Sequence, residues 1–225
     1  MPALPAILAR GPWSPGEIEA RWLPEPYEPQ AAQEAAADEA IRALRERGSP
    51  SHDGVAARLA GHRVTGDGRL VLELQPARWA LRLVPGDAAD SLSALCVTRD
   101  CDGRWLAGRR AEWLSSWAGQ WALGAGGAVD PDENPVDTLV RELDEEWSVS
   151  PESVTGEALV ALPQRMTMFI GMAWLPAGAE VTPDHEHDAY AWWPADPAEW
   201  PPEAHPQLRT MAALLAAAGR GADRS

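Results

Sequence analysis

The chain has 225 residues, 45% of them hydrophobic, and carries 19 basic against 34 acidic side chains for a formal net charge of −15. That excludes a collagenous or wholly disordered chain and suffices for one sizeable core, or one core with a small appended lobe. Such a negative field repels polyanions at long range, so general nucleic-acid binding is not expected; phosphorylated small molecules stay open, because cations held by clustered carboxylates can bridge protein to phosphate.

In chain order, Pro2 to Gln30 is rich in proline, with Trp13, Trp22 and Tyr27 as anchors, and is expected as an extended arm docked by its aromatics. Ala31 to Arg47 predicts a helix closed by Gly48, with a loop from Gly48 to Gly54. Gly68 to Gln75 and Trp79 to Val84 alternate and predict two strands, with a hairpin around Pro76. After the turn at Pro85 to Asp90 the texture changes, which sets a boundary near residue 88. The expected division is residues 1–88 as a small N-terminal α+β lobe and residues 89–220 as the main domain. Within the latter, Leu92–Val97 and Arg104–Ala107 flank a turn at Asp100, Asp102 and Gly103. Trp121 to Val129 is a glycine-bearing strand and Pro135–Trp147 a helix. Ala158–Leu162, Thr167–Trp174 and Ala189–Trp193 read as strands, and Gln207–Ala218 as a closing helix.

Only two cysteines occur, Cys96 and Cys101, so a disulfide scaffold is not expected and a reducing, cytoplasmic setting fits. Residues 1–13 lack a basic segment followed by a long apolar one, and no run reaches the roughly 18 apolar residues needed to span a bilayer, so no membrane partner is expected. Every basic side chain is Arg, a compositional bias without mechanistic content.

The chemistry concentrates on the helix at 135–147. At about 100° per residue, Val136, Leu139, Val140, Leu143 and Trp147 share one arc, the core face. Glu142, Glu145 and Glu146 fall together on a second face, expected to point away from the core. Their repulsion would destabilise an isolated helix by a few tenths of a kcal/mol per pair, a cost that a hard divalent cation removes, so the oxygen donors point to Mg2+ or Mn2+. A solvated acidic stripe is the plain alternative. Against it stand Gly126 and Gly127 just upstream, where missing β-carbons allow close backbone approach to a metal or phosphate. Glu133 and Arg141 add a charge pair that would lash loop to helix.

Gly127, Glu133 and the run Arg141-Glu142-Leu143-Asp144-Glu145-Glu146-Trp147-Ser148-Val149 together resemble the Nudix box of the Nudix hydrolase superfamily. One position departs: Ser148 stands where the family has glycine, in a residue expected to be left-handed at a cost of about 1 kcal/mol. The resemblance implies an α/β/α sandwich around a mixed β-sheet, spanning about residues 90 to 200. It further implies metal-dependent hydrolysis of a diphosphate linkage in a nucleoside diphosphate derivative or related compound, by water attack at phosphorus. Glu142, Glu145 and Glu146 become metal ligands with a backbone carbonyl at Gly126 or Gly127; Glu133 and Arg141 become orienting residues. Homodimers are frequent among such proteins.

Outside the box, Arg109 and Arg110 are candidates to clamp phosphate oxygens, and Trp113 or Trp117 to stack on a base or sugar. Glu186, in Asp184-His185-Glu186-His187-Asp188, is the candidate extra carboxylate, as metal ligand or general base. The alternative there is zinc held by His185 and His187, read as sharing a strand face, although no Cys or third His is near. Cys96, on an apolar strand, reads as a structural thiol rather than a nucleophile. Two rival functions share the implied fold. One is an isopentenyl-diphosphate-isomerase-like enzyme, whose Cys-Ser-His-Pro type segment is absent; the other is a non-catalytic ligand sensor or interaction module, in which box carboxylates are typically lost.

Overall fold

The computed structural model describes residues 5–49, 53–114 and 116–222. The first residues of the expected arm, and residues 50–52 of the expected loop, lie outside the described set. The strands are β1 (Ala6–Trp13), β2 (Ile18–Trp22), β3 (Val55–Val64), β4 (Leu70–Arg78), β5 (Ser91–Arg99), β6 (Trp105–Arg110), β7 (Trp121–Leu123), β8 (Ala125–Ala128), β9 (Ser153–Leu162), β10 (Met166–Trp174) and β11 (His187–Trp193). The helices are α1 (Ala31–Glu46), α2 (Pro135–Trp147) and α3 (Pro206–Ala222).

The strands form one mixed sheet with a path β1-β9-β10-β5-β3-β4-β2. β5 runs parallel to β10 over its whole length and antiparallel to β8 on its other side, while β6 carries β7 and β11. Alternation along the central strands feeds two cores. Leu92, Ala94, Cys96 and Phe169 face Val136, Leu139, Leu143 and Trp147 of α2. Val97, Ile170 and Met172 face the other way, onto Trp193, Trp200 and Leu208, Ala212 and Leu215 of α3. Helices on both faces of a mixed sheet make the α/β/α sandwich, and α1 buries Ala37, Ile41 and Leu44 in a third cluster with Ala80 and Leu81.

The N-terminal third differs in detail from its expected form. The proline-rich arm contains two strands: β1 pairs antiparallel with β9, and β2 pairs parallel with β4. Both lie at sheet edges, where proline is tolerated because one side of the strand needs no ladder bonds. Trp13 is buried and donates from Nε1 to the Gly68 carbonyl at 2.9 Å. The hairpin partner of β4 is β3, turned at Thr65–Arg69, and β4 passes through Pro76 instead of turning there. Trp79–Leu83 is a 3-10 helix, not a strand. Its consecutive Ala80 and Leu81 are both buried, against α1, which an alternating strand does not allow. The expected strand at Trp121–Val129 is two strands, β7 and β8, broken at Gly124, whose φ is 62°.

Candidate active site

α2 starts at Asn134, whose side chain accepts from the Val136 N–H while its amide donates to the Ile18 carbonyl at 2.9 Å. Strand β2 therefore touches the helix start, and Trp22 Nε1 also donates to the Glu133 carbonyl at 3.0 Å. The helix ends at Ser148, with φ 51° and ψ 41°, its N–H on the Asp144 carbonyl. The left-handed conformation expected for glycine is thus adopted by serine.

Arg141 organises the outer end of the site. Its Nε and Nη2 bind the two oxygens of Glu133 at 2.9 and 3.1 Å, its Nη1 binds Glu142 at 2.7 Å and Glu145 at 3.2 Å, and Nη2 also donates to the Ala128 carbonyl. Burial would raise the Glu133 carboxyl, but the bonds from Arg141 and Thr138 outweigh it and hold the group below the usual carboxylate value. Gly127 is needed beneath Glu142: a β-carbon there would stand 2.1 Å from Glu142 Oε1.

The inner end is different. Glu146, expected on an outward face, is buried with a side chain 5% exposed, because β8 and β11 close over that side of the helix. Its Oε1 accepts from the Gly126 N–H at 2.9 Å, and Oε2 is buried with no hydrogen-bond partner among the described residues. Burial, reinforced by the charges of Glu142 and Glu186, raises its carboxyl well above the ordinary value. Burial likewise pushes Glu142 up to about 7, with Glu145 and Glu186 adding to the effect against Arg141. Glu145 is the exposed member, with 57% of its side chain accessible.

Glu186 joins this group. It is half-buried, its carboxyl is raised by burial, and Arg110 Nη2 lies 3.3 Å from Oε2. The structure separates the arginine pair, since neighbours on a strand point to opposite faces. Arg110 turns to the carboxylates, whereas Arg109 binds Asp188 at 2.6 Å and lines a cavity of about 310 Å³ with Trp121, Glu203 and His205. Trp117 also sits on the α3 side, its ring 5.3 Å from His205, so neither it nor Arg109 meets the carboxylates. Trp113 stacks on His185 at 5.5 Å, next to Glu186.

The two histidines do not share a face. β11 begins only at His187; His185 is in the preceding turn with 70% of its side chain exposed, while His187 is buried on Trp147 at 4.5 Å. A zinc pair is therefore not formed. Cys96 is buried and free, its thiol pushed up to about 12 by burial, which suits a structural thiol. From the sequence, His187 reads only as a zinc ligand and Asp184 only as a substitute for Glu186; the structure places both beside Glu146.

Among the described residues no three His, Cys, Asp or Glu side chains stand ready-arranged around a metal position. Arg141 and the Gly126 N–H occupy the oxygens that would be used. The donor chemistry nonetheless fits a hard divalent cation: all donors are oxygens, one is buried and unpartnered, and the carboxylates raise one another's pKa.

A family model, the NUDIX domain, matches residues 90–215, more than half of the chain. The chain belongs to the Nudix hydrolase family. The CTP pyrophosphohydrolase of Escherichia coli (strain K12) is 35% identical to this Nudix chain over 122 residues, covering 52% of it and 87% of the relative. Among solved structures, a MutT protein from Methanosarcina mazei Go1 aligns with TM-score 0.45 and 22% identity over 60% of this chain and 96% of that one. An Ap4A hydrolase from C. elegans aligns with TM-score 0.45 and 18% identity over 58% and 98%. Among the described residues no helix is long and apolar enough to cross a membrane.

Proposed function

We propose that this Nudix hydrolase cleaves a diphosphate linkage in a nucleoside diphosphate derivative, with Mg2+ or Mn2+ held by Glu142, Glu145, Glu146 and a carbonyl at Gly126. The observation that carries the reading is the set of carboxylates along strand β8: Glu142 lies over Gly127 and Glu146 accepts from the Gly126 N–H, and Glu186 adds its charge to theirs, so that three acidic side chains face two arginines, Arg110 and Arg141. A bound divalent cation supplies neutralisation of the phosphoryl oxygens and a lowered pKa for water.

The chain's own residues do the rest. Arg141, forked onto Glu133, holds the loop before α2 against the helix and keeps Glu142 over Gly127. The missing β-carbon at Gly127 makes room for the Glu142 carboxylate, and through it for the cation that the diphosphate would meet. Glu186 accepts the proton of the attacking water, and Arg110 holds the Glu186 carboxylate while offering further N–H groups to a phosphate oxygen. Trp113, stacked on His185 next to Glu186, offers an aromatic surface for a base or sugar. Residues 1–88 act as a supporting lobe, reaching the site through Trp22 and Ile18. The reducing, cytoplasmic setting belongs to the same reading, with Cys96 and Cys101 both free.

The test is incubation of the purified chain with a panel of nucleoside triphosphates and nucleoside diphosphate derivatives plus Mg2+, reading released phosphate species. CTP belongs in the panel because of the name of the Escherichia coli relative. Metal-dependent release of a nucleoside monophosphate is expected. Full turnover in excess EDTA, or none on any member with Mg2+ and Mn2+, would overturn the reading.

A further inference from the structure

We propose that His187 is a positioning residue that holds the Glu146 carboxylate by a hydrogen bond from Nε2–H to Oε2; its consequence for catalysis rests on the hydrolase reading above.

Three buried side-chain atoms lack a partner among the described residues: Glu146 Oε2, His187 Nδ1 and His187 Nε2. Leaving such a group unpaired costs about 1–3 kcal/mol. Two of the three face each other, Nε2 to Oε2, at 3.6 Å. That is longer than a hydrogen bond by about 0.6 Å, a gap that a small turn of either side chain closes.

The surroundings are built around this contact. A β-carbon at Gly108 would lie 2.3 Å from His187 Cδ2 and 2.8 Å from Nε2, so β6 leaves the space that the imidazole fills. Trp147 lies 4.5 Å away on one side, with the rings tilted by 37°. Asp184 Oδ1 stands 3.5 Å from Nδ1 on the other side. The segment carrying the ring is strapped to the end of α2, with the Thr182 N–H on the Trp147 carbonyl and the Asp184 N–H on the Glu146 carbonyl, both at 2.9 Å. These bonds tie the segment that carries His187 to the end of α2 that carries Glu146.

A register shift brings the ring there. His187 pairs with Arg110 and Ala189 with Arg109, leaving Asp188 as an extra residue. The bulge turns His187 to the α2 side, with Tyr190 and Trp192, and sends Asp188 out to Arg109. With Gly126 N–H on one oxygen and His187 on the other, the Glu146 carboxylate is held in one orientation. Groups that orient a metal-binding side chain in this way are worth about 10- to 100-fold in metal affinity or activity.

Two measurements test this. In the wild-type chain without metal, 15N NMR of the histidine rings should show His187 with a slowly exchanging proton on Nε2; a ring protonated only on Nδ1, or rapid exchange, overturns the proposal. This result stands whether or not the chain hydrolyses anything. Then Mn2+ affinity is measured by electron paramagnetic resonance for His187→Gln, whose amide reaches the place of Nε2, and His187→Asn, whose amide reaches only that of Nδ1. His187→Gln is expected within about 3-fold of wild type and His187→Asn about 10- to 100-fold weaker. Equal affinities in the two variants, as a space-filling role would produce, would overturn it. If His187→Asn does not fold, the wild-type spectrum decides. Failure of the wild-type chain to bind Mn2+ would count against the hydrolase reading alone.

Discussion

The two ends of the acidic cluster around α2 use the same residue type for opposite purposes. At the outer end, Glu133 is forked by Arg141 and its carboxyl is held down. At the inner end, Glu146 lies buried on one N–H with an orphaned oxygen, and its carboxyl is driven up by burial and by Glu142 and Glu186. The outer end is charge-balanced and fixes the loop. The inner end holds charge that the chain itself does not balance, which lowers stability but leaves a carboxylate available for a cation.

Removing the inner charge should break this contrast most sharply. Glu146→Gln is expected to lower hydrolysis by about 10³-fold or more while raising the melting temperature of the metal-free protein, by roughly 2–4 °C for each kcal/mol of repulsion relieved. Glu145→Gln should also lose activity, but without that stability gain, because Glu145 is exposed. A melting temperature unchanged in Glu146→Gln would mean that its charge is already compensated. At the outer end, Arg141→Lys cannot fork onto Glu133, so loop and helix should lose alignment. Turnover is expected to fall by about 10²-fold, the scale of a misplaced site, with a lower melting temperature. Retained turnover would make the pairing dispensable.

The contrast also has a pH signature. Burial pushes the Glu142 carboxyl up to about 7 in the folded chain, above its ordinary value in the unfolded chain, so the folded state binds more protons between the two and loses stability as pH rises through that range. Metal-free protein should therefore melt higher at pH 6.5 than at pH 8, and Mg2+ should narrow the gap by favouring the ionised carboxylates. A metal-free melting temperature that rises toward pH 8 would show that another group governs. The smallest effect is expected from the N-terminal contact: Trp22→Phe removes the bond to the Glu133 carbonyl, costing about 1 kcal/mol. Turnover should stay within a few-fold of wild type; a loss as deep as that of Arg141→Lys would show that β2 shapes the site directly.

Most of the main domain was legible from local pattern. The 3.6-residue period placed Leu139, Leu143 and Trp147 on the core, alternation placed Leu92, Ala94 and Cys96 opposite, and residue spacing marked Arg141 and Glu133 as a pair. The N-terminal third was less legible. Edge strands β1 and β2 are short runs inside a proline-rich segment, and in Trp79–Leu83 five residues do not distinguish a strand from a 3-10 turn until α1 is seen to cover Ala80 and Leu81 together.

By itself, the sequence determined the family, the box helix, its carboxylates and the left-handed residue at Ser148, because these depend on identities at short, fixed separations along one chain segment. Only the tertiary structure decided which carboxylate is buried, since Glu145 and Glu146 differ by what β8 and β11 lay over them and not by anything in the helix. It also decided that Arg110 and His187 meet the site while Arg109 and Trp117 do not. Strand neighbours alternate, so the absolute side depends on register, and the extra residue at Asp188 reverses it for everything that precedes it.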